Sequence, residues 1–320
     1  MKRQINIELL RIVAMLMVLG LHANFVALHI PDADSILTFT GINRVFWQSA
    51  CIVAVNVFVM ISGWFGIKPS IKGFCNFMWQ VVYIVGLLWI VGVIFFNQSV
   101  SMKSLLRIIG LYGGGGWFVA SYIALYIISP ILNAYVEKTA PRNIVLMLVA
   151  FFLFEFLWGN TLSVEFVVGG YSTFSFIGIY LLAGLLRKLD LKYSSKTYLG
   201  VFFIAAIINT VCIIVAVAAG SVAVRDTILN YINPLVIIGA ASLLLAFAKS
   251  TILTPASMQS GVIQRVVLLL SASCFAAYLL HVGSGYALGL YCDGVKWLYD
   301  AYSGCVAFVM IVGYIFVVFY

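Results

Sequence analysis

Two ionisable residues, Arg11 and His22, stand in the first apolar stretch of the chain. Ten residues separate them, and eleven helical steps of about 100° return almost to the starting face, at a rise of roughly 16 Å. Such a helix carries a fixed cation and, about three turns further on, a titratable imidazole on the same face. If the stretch crosses a membrane, an arginine at its centre costs roughly 2.5–3.5 kcal/mol, so the pair suggests a functional role.

The two side chains suit different chemistry. Imidazole, with an ordinary pKa of about 6.5, is neutral and basic near pH 7, so His22 fits a general base. The guanidinium of Arg11 stays charged and suits binding or polarising a ligand. The non-catalytic alternatives are an interfacial histidine that makes one hydrogen bond, and an arginine that snorkels to phosphates or pairs with Glu8, three residues earlier.

The composition places this helix in lipid. The chain of 320 residues is 64% hydrophobic and 9% charged, with a mean hydropathy of +1.14. Soluble domains are about one quarter charged, and a soluble chain of this length has no means of burying so much apolar surface. The sequence therefore predicts an all-α integral membrane protein.

Apolar runs long enough to cross a hydrocarbon core of about 30 Å predict a single domain over residues 1–320, a bundle of about ten transmembrane helices. The fifth run is short, and the ninth has an end that extends towards Leu290 in one interpretation. The predicted spans are 5–27, 48–66, 76–96, 117–136, 144–159, 172–187, 198–219, 231–248, 263–282 and 302–320.

The basic residues orient these spans. With both termini in the cytoplasm, 12 lysines and arginines fall on the cytoplasmic side and five on the outer side, and Arg11 inside the first span completes the 18. This is the bias of the positive-inside rule. The net charge of +8 is thus a topology signal. We expect membrane lipid and no nucleic acid as a partner, in the cell (inner) membrane.

Metal chemistry is not predicted. The six cysteines include no Cys-x-x-Cys pair, and the three histidines are dispersed along the chain. Cys292 and Cys305 both fall near the predicted outer face, either as a disulfide or as two free thiols. Free, small hydrophobic side chains are the favoured interpretation.

Four motifs follow one another along the chain. The first is the basic residue, ten residues and histidine of Arg11 and His22, on the first of ten helices. The others are the Ser-Gly segment within Asn56–Phe65, the Trp-rich segment Trp117–Asn133 that ends in Ser-Pro-x-Leu-Asn, and Tyr-Leu-x-His at Tyr278–His281. In this order the motifs resemble those of membrane acyltransferase family 3. The resemblance implies O-acylation, usually O-acetylation, of sugars in surface polysaccharides or related glycans, with a cytoplasmic acyl-CoA as the donor.

The same resemblance implies the site residues. His22, Arg11 and His281 are expected in catalysis, the two histidines sharing one site, and the acyl group passes either directly or through an acyl-histidine. Arg11, Ser62, Lys68 and Lys72 are expected to bind acetyl-CoA or another acyl-CoA. Many members of the family have more basic residues after the second helix than these two lysines.

Trp117 and Tyr122 are the residues expected to contact the acceptor, a glycan or lipid-linked sugar. Each binding prediction has a structural alternative. Trp and Tyr are enriched at membrane–water interfaces, and lysines in cytoplasmic loops often only determine the orientation of the helices in the membrane. Small residues such as Ser62 and Gly63 allow helices to pack closely.

A transporter or flippase of a glycan or small solute is the competing interpretation, because its helices also hold buried charges. A non-catalytic scaffold of a polysaccharide export complex is a third. Only the four motifs separate an acyltransferase from these classes.

Overall fold

The computed structural model describes residues 4–109, 116–161, 166–250, 261–302 and 304–319, and in these ranges all regular structure is helical. A π-helical turn, His22–Ala27, continues the first helix. The helices are α1 (Ile5–Leu21), α2 (Phe39–Cys51), α3 (Ala54–Phe65), α4 (Ile71–Phe95), α5 (Met102–Ile108), α6 (Gly116–Lys138), α7 (Pro141–Thr161), α8 (Thr173–Leu189), α9 (Ser195–Ala218), α10 (Val222–Ile228), α11 (Pro234–Ala248), α12 (Val262–Val282), α13 (Gly285–Ala301) and α14 (Gly304–Phe319).

Seven of the described helical stretches are long and apolar enough to cross a membrane. They are Ile5–Ala27, Phe39–Phe65, Ile71–Phe95, Gly116–Lys138, Pro141–Asn160, Ser195–Ala218 and Val262–Val282. The other three predicted spans fall on α8, α11 and α14, which have 17, 15 and 16 residues. At 1.5 Å per residue these helices reach about 23–26 Å, less than a hydrocarbon core of about 30 Å.

The second and fifth spans are longer than the sequence predicts. The second span begins at Phe39, whereas hydropathy predicts a start at 48, because polar residues such as Asn43 and Arg44 lower the hydropathy of the first part of α2. Thr38 caps α2 by accepting a hydrogen bond from the amide of Gly41 at 3.1 Å. The fifth span, predicted as 16 residues, is a helix of 21 residues, α7.

A helix that the span prediction lacks follows the ninth span. The end of α12 at Val282 is the predicted one, and a separate helix, α13, starts behind the cap of Ser284 instead of an extension of α12 towards Leu290. The side-chain oxygen of Ser284 accepts from the amide of Ala287 at 3.2 Å. Polar residues inside α13, among them Asp293 and Lys296, interrupt its hydropathy and hid it from the span prediction.

Helix α3 forms the centre of the bundle, and nine of its 12 residues are buried. It packs against α1, α8 and α11. At Gly63 the carbonyl oxygen of Tyr180 on α8 occupies the place that a Cβ would take, so only glycine permits this approach. By contrast, α4 and α7 expose large apolar side chains, as expected of helices in contact with lipid.

Candidate active site

His22 and His281 lie side by side. His22 follows the last residue of α1 and begins the π-helical turn, while His281 lies in the last turn of α12. Nδ1 of His22 is 2.8 Å from Nε2 of His281, and the ring centroids are 5.0 Å apart. His281 is only 3% exposed, and His22 is partly buried. The fold thus brings together two histidines that are 259 residues apart in sequence.

The hydrogen bonds fix which nitrogen of each neutral ring carries the proton. Nδ1 of His281 is 3.1 Å from the carbonyl oxygen of Ala277, which only accepts, so this nitrogen is the donor. Nε2 of His281 is then an acceptor, and Nδ1–H of His22 donates to it. His22 is left with an unprotonated Nε2, the form that a general base requires.

Two tyrosines frame His281. The ring centroid of Tyr278 is 6.0 Å from that of His281, and the centroid of Tyr291 is 5.8 Å from it. The hydroxyl of Tyr291 donates to the carbonyl oxygen of Leu19 at 2.9 Å, which ties α13 to α1. Tyr291 was missed by sequence analysis because the whole of α13 was missed.

The turn after His22 is held by Arg44 of α2. Nε of Arg44 donates to Oδ1 of Asn24 at 3.1 Å, and Nη2 donates to the carbonyl oxygens of Leu28, at 3.2 Å, and of His29. In return, Nδ2 of Asn24 donates to the carbonyl oxygen of Arg44 at 2.6 Å. Arg44 therefore fixes the backbone just beyond His22, a role that its place in a predicted loop did not signal.

Arg11 has an acidic partner. Its Nη1 donates to Oε2 of Glu8 at 2.6 Å and to Oγ of Ser271 at 3.3 Å, and the hydroxyl of Ser271 also donates to Glu8. The side chain of Arg11 is 31% exposed and that of Glu8 is 6% exposed. The local net charge is therefore zero, although Arg11 keeps donors that face away from Glu8.

Ser62 and Tyr122 lie on the Arg11 side of the molecule. The two hydroxyl oxygens are 3.2 Å apart, and Tyr122 lies within electrostatic reach of Arg11. The ring centroid of Trp117 is 4.7 Å from that of Tyr171, and Trp117 and Tyr122 both pack against Phe118.

A row of aromatic rings connects the two sites. The centroids of Tyr122 and Phe118 are 6.0 Å apart, those of Phe118 and Tyr278 are 5.3 Å apart, and Tyr278 adjoins His281. These rings are partly buried, and they continue from the Arg11 side to the histidine pair.

Lys68 and Lys72 lie on the segment between α3 and α4 and at the start of α4. Both are exposed, and neither forms an ion pair with a described residue. Two sequence features lie outside the described part of the chain: the glycines at 113, 114 and 115, and the side chain of Cys305.

A family model described as an acyltransferase domain, that of acyltransferase family 3, matches residues 4–320. The chain belongs to acyltransferase family 3. It is a multi-pass membrane acyltransferase. No curated protein and no solved structure matches it.

In this family 3 acyltransferase, two separate groups of side chains are suited to chemistry or binding. The histidine pair presents one unprotonated ring nitrogen beside a ring that orients it. The set of Arg11, Ser62 and Tyr122 presents hydrogen-bond donors without net charge. Among the described residues, no three His, Cys, Asp or Glu side chains are grouped as a metal site would require.

Proposed function

We propose that the chain is an O-acyltransferase, and specifically an O-acetyltransferase, that moves the acyl group of cytoplasmic acyl-CoA to a hydroxyl of a surface polysaccharide or related glycan. The family supports acyl transfer. The observation that carries the assignment of the base is the hydrogen bond between Nδ1 of His22 and Nε2 of His281. It leaves Nε2 of His22 as a free base in a partly buried site.

In direct transfer, Nε2 of His22 takes the proton of the acceptor hydroxyl while its oxygen attacks the thioester carbonyl. The C–O bond forms, the C–S bond breaks, and the proton passes to the leaving sulfur, which departs as the CoA thiol. His281 accepts the Nδ1–H bond throughout and stabilises the imidazolium that forms on His22. An acyl-histidine route uses the same Nε2 as the nucleophile, and therefore has the same structural requirement.

Arg11 has a different task in this proposal. The rise between Arg11 and His22 is roughly 16 Å, so the two side chains do not act on one carbonyl. Because Glu8 already neutralises Arg11, the site suits the uncharged amides of the pantetheine arm better than a phosphate. The arm would lie along Tyr122, Phe118 and Tyr278, with its thioester at His22.

The proposed topology keeps ten membrane helices, with both termini in the cytoplasm of a cell whose inner membrane holds the chain. Contacts between helix ends support it. Asn6 donates to the carbonyl oxygen of Ser250 at 2.6 Å, and both residues are assigned to the cytoplasmic side. Asn24 and Arg44, both assigned to the outer side, bond each other. The helices α8, α11 and α14 then cross as short spans, which requires local thinning of the bilayer or burial of their ends by neighbouring helices.

Turnover of acetyl-CoA by the purified protein in lipid nanodiscs tests the reaction. We expect thiol release by the wild type and a loss of about 10²–10⁴-fold in kcat for His22→Asn. An asparagine amide at this position still donates towards His281 but supplies no base, so the variant removes the chemistry and keeps the contact. The matched control is His29→Asn, since His29 is exposed and has a positive φ, which asparagine tolerates.

Retained thiol release in His22→Asn would refute the assignment of the base. Solute flux without thiol release from CoA would instead favour a transporter or flippase. The acceptor class is tested by mass spectrometry of surface glycans from cells with and without the gene. Loss of O-acetyl groups on deletion is the expected result, and unchanged glycans would contradict the acceptor assignment.

A further inference from the structure

The turn that joins α3 to α4, Gly66–Ser70, is bound by side chains of two other helices. The amide of Ile67 donates to the hydroxyl oxygen of Tyr180 on α8 at 2.7 Å. That hydroxyl donates to Oδ1 of Asn133 on α6 at 2.7 Å. Nδ2 of Asn133 donates to the carbonyl oxygen of Ile67 at 2.7 Å, which closes the ring of bonds. Both backbone polar groups of Ile67 are thus satisfied by one linked pair of side chains.

A second tyrosine holds the other end of the turn. The hydroxyl oxygen of Tyr126 on α6 accepts from the amide of Ser70 at 2.8 Å, and the hydroxyl donates to the carbonyl oxygen of Ser70 at 3.0 Å. Gly66 begins the turn with a φ of 73°, and Oδ1 of Asn133 lies 3.2 Å from the place that a Cβ would take. A side chain at this position would be strained. Side chains from other helices therefore bind the backbone of the turn on both sides of Lys68.

It is unusual for a surface turn to be bound by several side chains of other helices. Exposed turns are normally the mobile parts of a fold, and ordering one costs about 1–2 kcal/mol of conformational entropy per residue. Here the fixed segment carries Lys68 and leads directly to Lys72, and both side chains are exposed. The bonds thus fix the backbone from which both lysine side chains extend.

The surroundings leave that charge uncompensated. Arg187 donates to the carbonyl oxygen of Trp64 at 2.7 Å, and Lys188 donates to three carbonyl oxygens at the end of α6, those of Val136, Glu137 and Thr139. Neither forms an ion pair with a described acid. Positive charge therefore concentrates beside the turn, where a phosphorylated ligand would be attracted.

We propose that Asn133 and Tyr180 are positioning residues for the nucleotide end of the acyl donor. By fixing the backbone of Ile67, they direct the adjacent Lys68 towards the phosphates of CoA. This rests on the proposed acyl-CoA reaction and adds the residues that shape its binding surface. It also gives a role to the last residue of the Ser-Pro-x-Leu-Asn segment, which the acyl-transfer chemistry does not use.

Two acyl donors of different length test this positioning role. Acetyl-CoA carries the nucleotide, whereas the acetyl thioester of N-acetylcysteamine carries only the reactive end. For Tyr180→Phe we expect the KM of acetyl-CoA to rise about three- to tenfold, the loss typical of one or two hydrogen bonds, with kcat unchanged. The kinetics of the short donor should match those of the wild type, because no phosphate is bound.

Lys68→Ala provides a coupling test. It should raise the KM of acetyl-CoA, and adding Tyr180→Phe to it should raise the KM little further, because the tyrosine acts through the lysine. Tyr198→Phe is the matched control, since the hydroxyl of Tyr198 is buried and makes no described hydrogen bond. If Tyr180→Phe yields no folded protein, Tyr126→Phe disturbs the same turn from Ser70 and should give the same split between donors.

Equal losses with both donors would overturn the proposal in favour of a purely structural role, as would an unchanged KM for acetyl-CoA. Failure of the underlying reaction looks different. In that case the wild type itself turns over neither donor, or His22→Asn remains active.

Discussion

The same two helices, α1 and α12, meet at two places, and the two contacts differ in kind. Near the start of α1, Arg11 contacts Ser271 of α12, and Glu8 cancels its charge. At the end of α1, His22 contacts His281 of α12 without any described ion pair. The first contact offers permanent donors, and the second offers a nitrogen that accepts a proton. In the proposed reaction, one helix pair thus separates the binding of the acyl donor from the chemistry.

Substitution of His281 tests the contact between His22 and His281. It should have the largest effect on activity after loss of His22 itself. In His281→Leu the Nδ1–H of His22 loses its acceptor, so the tautomer and ring position are no longer fixed. We expect kcat to fall about 10²-fold with little change in the KM of acetyl-CoA. Steady-state thiol release measures both constants. His281→Gln, whose side-chain oxygen still accepts, should retain more activity than His281→Leu, and equal activity in the two would contradict this role.

Arg11→Gln tests the contact of Arg11 with Glu8 and Ser271. It should change the KM of acetyl-CoA more than kcat. It removes donors to the pantetheine arm, and we expect the KM of acetyl-CoA to rise about tenfold, as for a lost charged hydrogen bond, with a smaller change in kcat. Because the buried Glu8 is then unpaired, the protein should also lose thermal stability. Glu8→Gln combined with Arg11→Gln should restore stability without restoring the KM. A fall in kcat alone would contradict the division between the two contacts.

Two smaller effects test which side chains contact the acyl donor and which contact the acceptor. Tyr122→Phe removes the hydroxyl beside Ser62, and we expect a two- to fivefold rise, roughly one neutral hydrogen bond, in the KM of acetyl-CoA. Trp117→Phe should instead raise the KM of the glycan acceptor, since Trp117 packs against Tyr171 and Tyr231, whereas Tyr122 bonds Ser62. Initial rates at varied donor and acceptor measure both effects. A rise in the acceptor KM for Tyr122→Phe, with an unchanged KM of acetyl-CoA, would mean that Tyr122 contacts the acceptor.

Local spacing and hydropathy predicted a large part of the fold. Each predicted span contains a helix, and the first one ends at Ala27 as expected. Hydropathy did not predict α13 or the first part of the second span, because polar residues lie inside these helices, as Arg44 does in α2 and Asp293 in α13. Arg44 is partly buried and bonds Asn24, whereas Asp293 is exposed on a helix that buries other residues, so mean hydropathy understates both helices.

The site was predicted in its residue types but not in its contacts. Spacing placed Arg11 and His22 on one face of a helix, but no local signal places His281 against His22, because their meeting depends on how α12 packs on α1. The ring of Ile67, Asn133 and Tyr180 joins three separate helical regions, so only the folded chain reveals it. Glu8 was considered as a partner for Arg11 from its spacing alone, and the structure confirms that contact.

The most direct test of the account is the protonation pattern of the two ring nitrogens of His22. Nitrogen-15 NMR of the histidine-labelled protein in lipid bilayers at neutral pH distinguishes protonated from unprotonated ring nitrogens, and His22→Asn and His29→Asn assign the signals. We predict a proton on Nδ1 of His22 and none on Nε2, with the proton of His281 on Nδ1. A proton on Nε2 of His22 with a bare Nδ1 would contradict the proposed base.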